Sequence, residues 1–233
     1  MDVSVEAKSH NPSVLNPDFL SRNRIVPEDW KLEGPPVALD PVAEVSYANG
    51  IMVRAQFTTL KVIEWIGPGV EGATGEPGAA RAPGIVSRYV KVLEHVSYTA
   101  VEVTLRGHLE FATKPDVGRF VMEHFVKDGP WSTYGNSAPK LDLRFTHSTD
   151  LGEVTTTIGE AFWSPTPPAK NTIAPPSQAV PVLRLFSTFR RDVKASRPKE
   201  SVEAITSYLE NWKELLRAYR AMARTTFAVT DGE

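Results

Sequence analysis

Cysteine is absent from all 233 residues. That absence excludes disulfides, thiolate-bound zinc, iron–sulfur clusters and a cysteine nucleophile. Long apolar runs are missing as well, since none approaches the roughly 20 residues a membrane helix requires. The first residues, MDVSVEAKSHNPSVLNPDF, have neither the basic start nor the apolar stretch of a secretory leader. A cytoplasmic setting without a membrane partner is therefore expected. Histidine is scarce: residues 10, 95, 108, 124 and 147 never fall into H-x-x-x-H or H-E-x-x-H spacing. No metal or other cofactor is expected. Nor is there a G-x-S-x-G nucleophile elbow, a Walker loop or a carboxylate-rich calcium loop. An excess of charge of one sign is also lacking, because the net charge is −2. Such a chain has no overall field to draw in nucleic acid.

What is present is ordinary globular material, 41% apolar and 23% charged, with an excess of proline, 19 residues. A chain of this length buries a core without covalent staples. Residues 1–40 carry prolines at 12, 17, 27, 35 and 36 without a sustained period. They read as an extended arm anchored by Phe19, Leu20, Ile25, Val26 and Trp30. Asn49-Gly50, between two β-branched runs, predicts a hairpin over 42–57 with a type I′ turn. TLKVIEWI is a third strand.

Gly67, Gly69 and Gly72 in IGPGVEG spell G-x-G-x-x-G after that strand. A dinucleotide site needs these glycines to open directly into a helix. Here they run into further Gly, Pro and Ala, and Pro68 removes a backbone donor. The segment 67–84 is read as a connector. Residues 85–96 then show a helical stripe, and AVEVTLRGHLEFA alternates strictly as a half-buried strand. A helix is predicted over 116–127. KLDLRFTH and EVTTTIGEAFW form a hairpin, a proline-rich crossing follows, and AVPVLRLFSTFRRDV is the last strand.

Residues 199–224 are the most regular segment. Val202, Ile205, Leu209, Trp212, Leu216, Tyr219 and Ala223 recur every three or four residues, and Tyr208, Leu215 and Met222 widen the stripe. One helix of about seven turns is predicted, with Ser196 as N-cap. The resulting fold class is α+β: a largely antiparallel sheet with helices on one face, a long amphipathic C-terminal helix and a proline-rich N-terminal arm. The arm takes residues 1–40 and one α+β domain takes 41–233, with 41–137 and 138–233 as two candidate lobes.

Three functions compete. The leading expectation is a non-catalytic binding or assembly protein. It self-associates or docks on another protein through the arm and the helix stripe Tyr208, Trp212, Leu215, Tyr219 and Met222, whose apolar face must be buried somewhere. The alternative is an enzyme with acid–base chemistry on the polar face of strand 101–111, where Glu102, Arg106 and His108 project together. The third is a nucleic-acid-associated factor. Arg190, Arg191, Lys194, Arg197 and Lys199 cluster within ten residues, and residues 184–224 hold ten Lys/Arg against five Asp/Glu. Such a cluster neutralises phosphates.

Overall fold

Period-two alternation sets the strands of the computed structural model, which describes residues 1–65, 79–127, 129, 142–164 and 179–227. Nine strands form one antiparallel sheet, and with five α-helices they make an α+β fold. The strands are β1 Asp2–Ala7, β2 Val37–Leu39, β3 Val42–Ser46, β4 Ile51–Ala55, β5 Thr59–Glu64, β6 Tyr98–Glu110, β7 Asp142–Thr149, β8 Gly152–Trp163 and β9 Val180–Asp192. Their order across the sheet is β2-β3-β4-β5-β1-β6-β9-β8-β7. The helices are α1 Pro17–Arg22, α2 Ala82–Val92, α3 Lys114–Phe125, α4 Pro198–Glu210 and α5 Trp212–Phe227.

The chain divides into two compact units. The first comprises Met1–Leu105, Ser148–Val154 and Thr188–Met222. The second comprises Arg106–His147, Thr155–Ser187 and Ala223–Glu233.

The first unit corrects the expected arm. Residues 2–7 are β1, paired antiparallel with β5 on one side and β6 on the other. Its Val3, Val5 and Ala7 are buried while Ser4 and Glu6 point to the opposite face. Five alternating residues are too few to stand out beside five prolines, and the two neighbouring strands supply the reason for the conformation. Leu20, Ile25 and Val26 are core residues as well.

Two local corrections have clear causes. Gly50 alone of the Asn49-Gly50 pair has positive φ, 78°, and Gly50 N–H bonds to Tyr47 O at 3.1 Å while Tyr47 N–H bonds to Ile51 O. The hairpin therefore turns through a three-residue loop, 48–50, closed by a left-handed glycine, instead of the two-residue type I′ turn. The predicted long C-terminal helix is broken at Asn211. Its amide side chain bonds to Ser207 O at 3.1 Å, its N–H bonds to Tyr208 O, and its own carbonyl starts α5 by accepting from Glu214 N–H. An asparagine side chain competes with the helix ladder in this way. The N-cap of α4 is Arg197 rather than Ser196, because the Glu200 carboxylate reaches back to the N–H groups of both residues.

α2 packs on β1, β5 and α4. Its first turn is capped from outside: Glu64, at the end of β5, accepts from Arg81 N–H at 2.7 Å and Ala82 N–H at 3.0 Å, and pairs with the Arg81 guanidinium at 2.9 Å. Those three donors satisfy a carboxylate that is otherwise buried.

In the second unit, α3 begins after Thr113, whose hydroxyl donates to Asp116 at 2.6 Å. Its Val117 and Val121 are buried, and Phe120 meets Phe111 edge-on at 5.4 Å. The glycine segment that opened the dinucleotide question, residues 66–78, lies outside the described residues, as does most of the proline-rich crossing.

Candidate functional site

The predicted acid–base group does not assemble. Glu102 belongs to the first unit, where its carboxylate takes the Arg190 guanidinium at 2.6 Å and the Ser4 hydroxyl at 3.4 Å. Arg190 is also gripped by Glu6 through two bonds, 2.7 and 2.9 Å, and by Asp192 at 3.0 Å. The bond to Arg190 holds the Glu6 carboxyl below its usual range, and the bonds to Glu6 and Glu102 push the arginine further up. This is a closed ion-pair network on β1, β6 and β9. A carboxylate so engaged is neither a free base nor a proton donor.

Arg106 and His108 stand in the second unit, and each leans on an aromatic ring. The Arg106 guanidinium lies over Phe186 of β9 at 5.3 Å, and Arg184, also on β9, lies over the same ring at 5.1 Å. His108 stacks on Trp163 of β8, with ring centroids 4.6 Å apart, and approaches the Glu110 carboxylate at 3.3 Å. These contacts put all five side chains on one side of the sheet. β7 adds to it: Thr146 bonds to Thr155 at 3.1 Å, and the Asp142 carboxylate lies over Gly159, where a Cβ would collide with it. By alternation, Arg144 stands on that side too. Arg106, His108, Arg144 and Arg184 are exposed, while Phe186 and Trp163 are half-buried. Sequence reading finds Arg106 and His108 but misses Phe186, Trp163, Arg184 and Arg144. The alternation of LRLFSTF was available as a signal, but the strand register that matches it to β6 was not.

The basic connector is largely engaged. Arg190 is enclosed by three carboxylates, Arg197 binds Glu200 at 2.6 Å, and Arg191 lies over the Tyr208 ring at 5.3 Å while donating to Asp150 O. Lys194 and Lys199 are exposed. Two of the five cations in the connector are thus paired with carboxylates.

The stripe expected to meet a partner is taken up by the chain's own core. Tyr208, Trp212, Leu215 and Tyr219 are buried, Leu215 to 1% exposure, and Met222 is half-buried. Burial pushes the Tyr208 hydroxyl up to about 12, the nearby Arg191 opposing it. The Tyr208 hydroxyl donates to Leu151 O at 3.2 Å. The width of the stripe that suggested a second partner reflects two short helices with a turn between them, each burying its own arc.

Elsewhere in the first unit, a recess of about 410 Å³ is lined by Ser21, Arg24, Val26, Pro27, Glu28 and Arg88. Arg24 there has φ +53°, and Arg88 donates to Ile25 O at 2.8 Å. His10 is buried between Gln56 O, 3.1 Å from Nδ1, and the Tyr89 hydroxyl, 2.7 Å from Nε2. A carbonyl only accepts, so Nδ1 carries the proton and Nε2 accepts from Tyr89. Among the described residues no group of His, Asp and Glu is arranged to hold a metal ion, and no helix is long and apolar enough to cross a membrane.

Set against known proteins, the chain matches no family model, no curated sequence and no solved structure.

Proposed function

We propose that the protein is a non-catalytic binding protein and that its recognition surface is the side of the second unit's sheet carrying Arg106, His108, Trp163, Arg184 and Phe186. One observation carries this reading: two guanidinium groups share the Phe186 ring beside a stacked imidazole–indole pair, on strand residues exposed or half-exposed to solvent. Cations and rings held in fixed geometry on rigid strands suit recognition, because little side-chain freedom remains to be lost on binding. Catalysis would ask for converging acid and base groups, and the Glu102 carboxylate is committed to Arg190. Amide chemical-shift mapping with a panel of nucleotides, oligosaccharides and peptides tests it. Shifts concentrated on β6, β8 and β9 of the second unit are expected. Binding confined to the Arg24–Arg88 recess, or turnover that His108→Ala abolishes, overturns the reading.

A further inference from the structure

The ligand class follows from how cations and rings alternate on this surface; the inference rests on the binding reading above. We infer that the surface binds single-stranded nucleic acid, with phosphates on the arginines and bases stacked on the ring and guanidinium planes. The β6, β7, β8 and β9 residues on this side within the second unit include Arg106, Arg144 and Arg184 against the carboxylates of Glu110 and Asp142, a positive balance in a chain whose net charge is −2. The positive balance favours an anionic occupant on this surface.

Charge alone would serve an acidic peptide equally well. The rings decide between them. His108 and Trp163 form a stack at 4.6 Å, two guanidinium groups lie over the Phe186 ring at 5.1 and 5.3 Å, and neighbouring strands set such groups at intervals of about 4.8 Å or its multiples. Bases stack on aromatic side chains and on arginine planes alike, whereas carboxylate side chains make no use of a ring. A duplex hides its base faces inside the helix, so half-buried rings and guanidinium planes on a sheet favour unpaired strands.

Fluorescence anisotropy of labelled twelve-nucleotide oligo-dT and oligo-U, with a duplex of equal length and poly-glutamate as competitors, tests the inference. Binding is expected at low salt and should weaken as salt rises. Arg106→Ala with Arg184→Ala should reduce it at least tenfold and lower the salt slope by about 1.4, the share of two single-strand phosphate contacts. Trp163→Ala should weaken it about tenfold, within the range for loss of one stacked base. Arg191→Ala with Lys194→Ala, on the basic connector, should change little. Thermal melts check that each variant folds, and amide shifts of the wild type with oligo-dT locate the strand without any substitution. The inference fails if oligonucleotide affinity is absent, if it survives the platform substitutions, if the connector variant is the one that loses it, or if the duplex binds as well. Should poly-glutamate bind with the same arginine dependence and oligonucleotides not, the ligand class falls while the binding surface stands. If neither ligand shifts the amides of β6, β8 and β9, the inference falls, and the binding reading falls with it only when the nucleotide, oligosaccharide and peptide panel leaves those amides unshifted too.

Discussion

Gly152, which opens β8, has φ +113°, and a Cβ built on it would collide with the Arg190 carbonyl. Only glycine accepts both conditions. Gly152→Ala should therefore cost about 1–3 kcal/mol, the usual scale of a backbone held in a disfavoured region. Urea unfolding measures it, and a variant as stable as the parent would show that the turn relaxes freely. His10 offers a second test at this scale. Desolvation lowers its pKa below the ordinary 6.5, despite the bond to Gln56 O that favours the charged form. Above that value the imidazole is neutral in both folded and unfolded chains. As pH falls below it, the unfolded chain takes up a proton that the folded chain refuses, so stability declines on acidification. Melting temperature should drop between pH 7 and 5, and His10→Gln should show a smaller drop over the same interval. An identical pH profile in the two proteins would remove His10 from the account. Neither behaviour is visible in sequence: nothing local distinguishes Gly152 from other glycines, and the Tyr89 partner of His10 lies 79 residues away.

At the scale of elements, the two C-terminal helices separate burial from binding. Leu215 is 1% exposed and Met222 is half-buried on α5. A charge forced into the core is left without partners. Leu215→Glu should thus unfold the first unit, whereas Met222→Glu should melt closer to the wild type. Were the helix stripe an exposed interface, both variants would stay folded and change association state. Thermal melts with light scattering distinguish these results. The period of three and four was legible from residue spacing because an apolar arc on a helix must be covered. Which surface covers it is a question of packing, and the single polar residue Asn211 decided that the arc belongs to two helices.

Over the whole molecule, the placement of the first residues matters most. β1 sits between β5 and β6, so removing residues 1–7 deletes an interior strand with two ladders of backbone hydrogen bonds. An arm would be dispensable. Deletion of residues 1–7 should abolish the cooperative transition seen by circular dichroism, and the amides of β1 should exchange among the slowest in the first unit. Retention of a native melt after the deletion would show that the sheet closes without it.

Residue patterning alone determined the α+β class, the hairpins read at 42–57 and 140–163, the half-buried strand containing Arg106 and His108, and the apolar arc near the C-terminus. Each follows from a period of two or 3.6 that sterics impose within a few residues. Tertiary structure alone decided the rest. Pairing energy from distant strands turned a proline-flanked segment into β1, and strand register laid Arg106 on Phe186 and His108 on Trp163. It also brought the Glu6 and Glu102 carboxylates from other strands onto Arg190, beside Asp192 of its own strand. Contacts between residues some 55 to 184 positions apart depend on which strands become neighbours, and local periodicity carries no information on that choice.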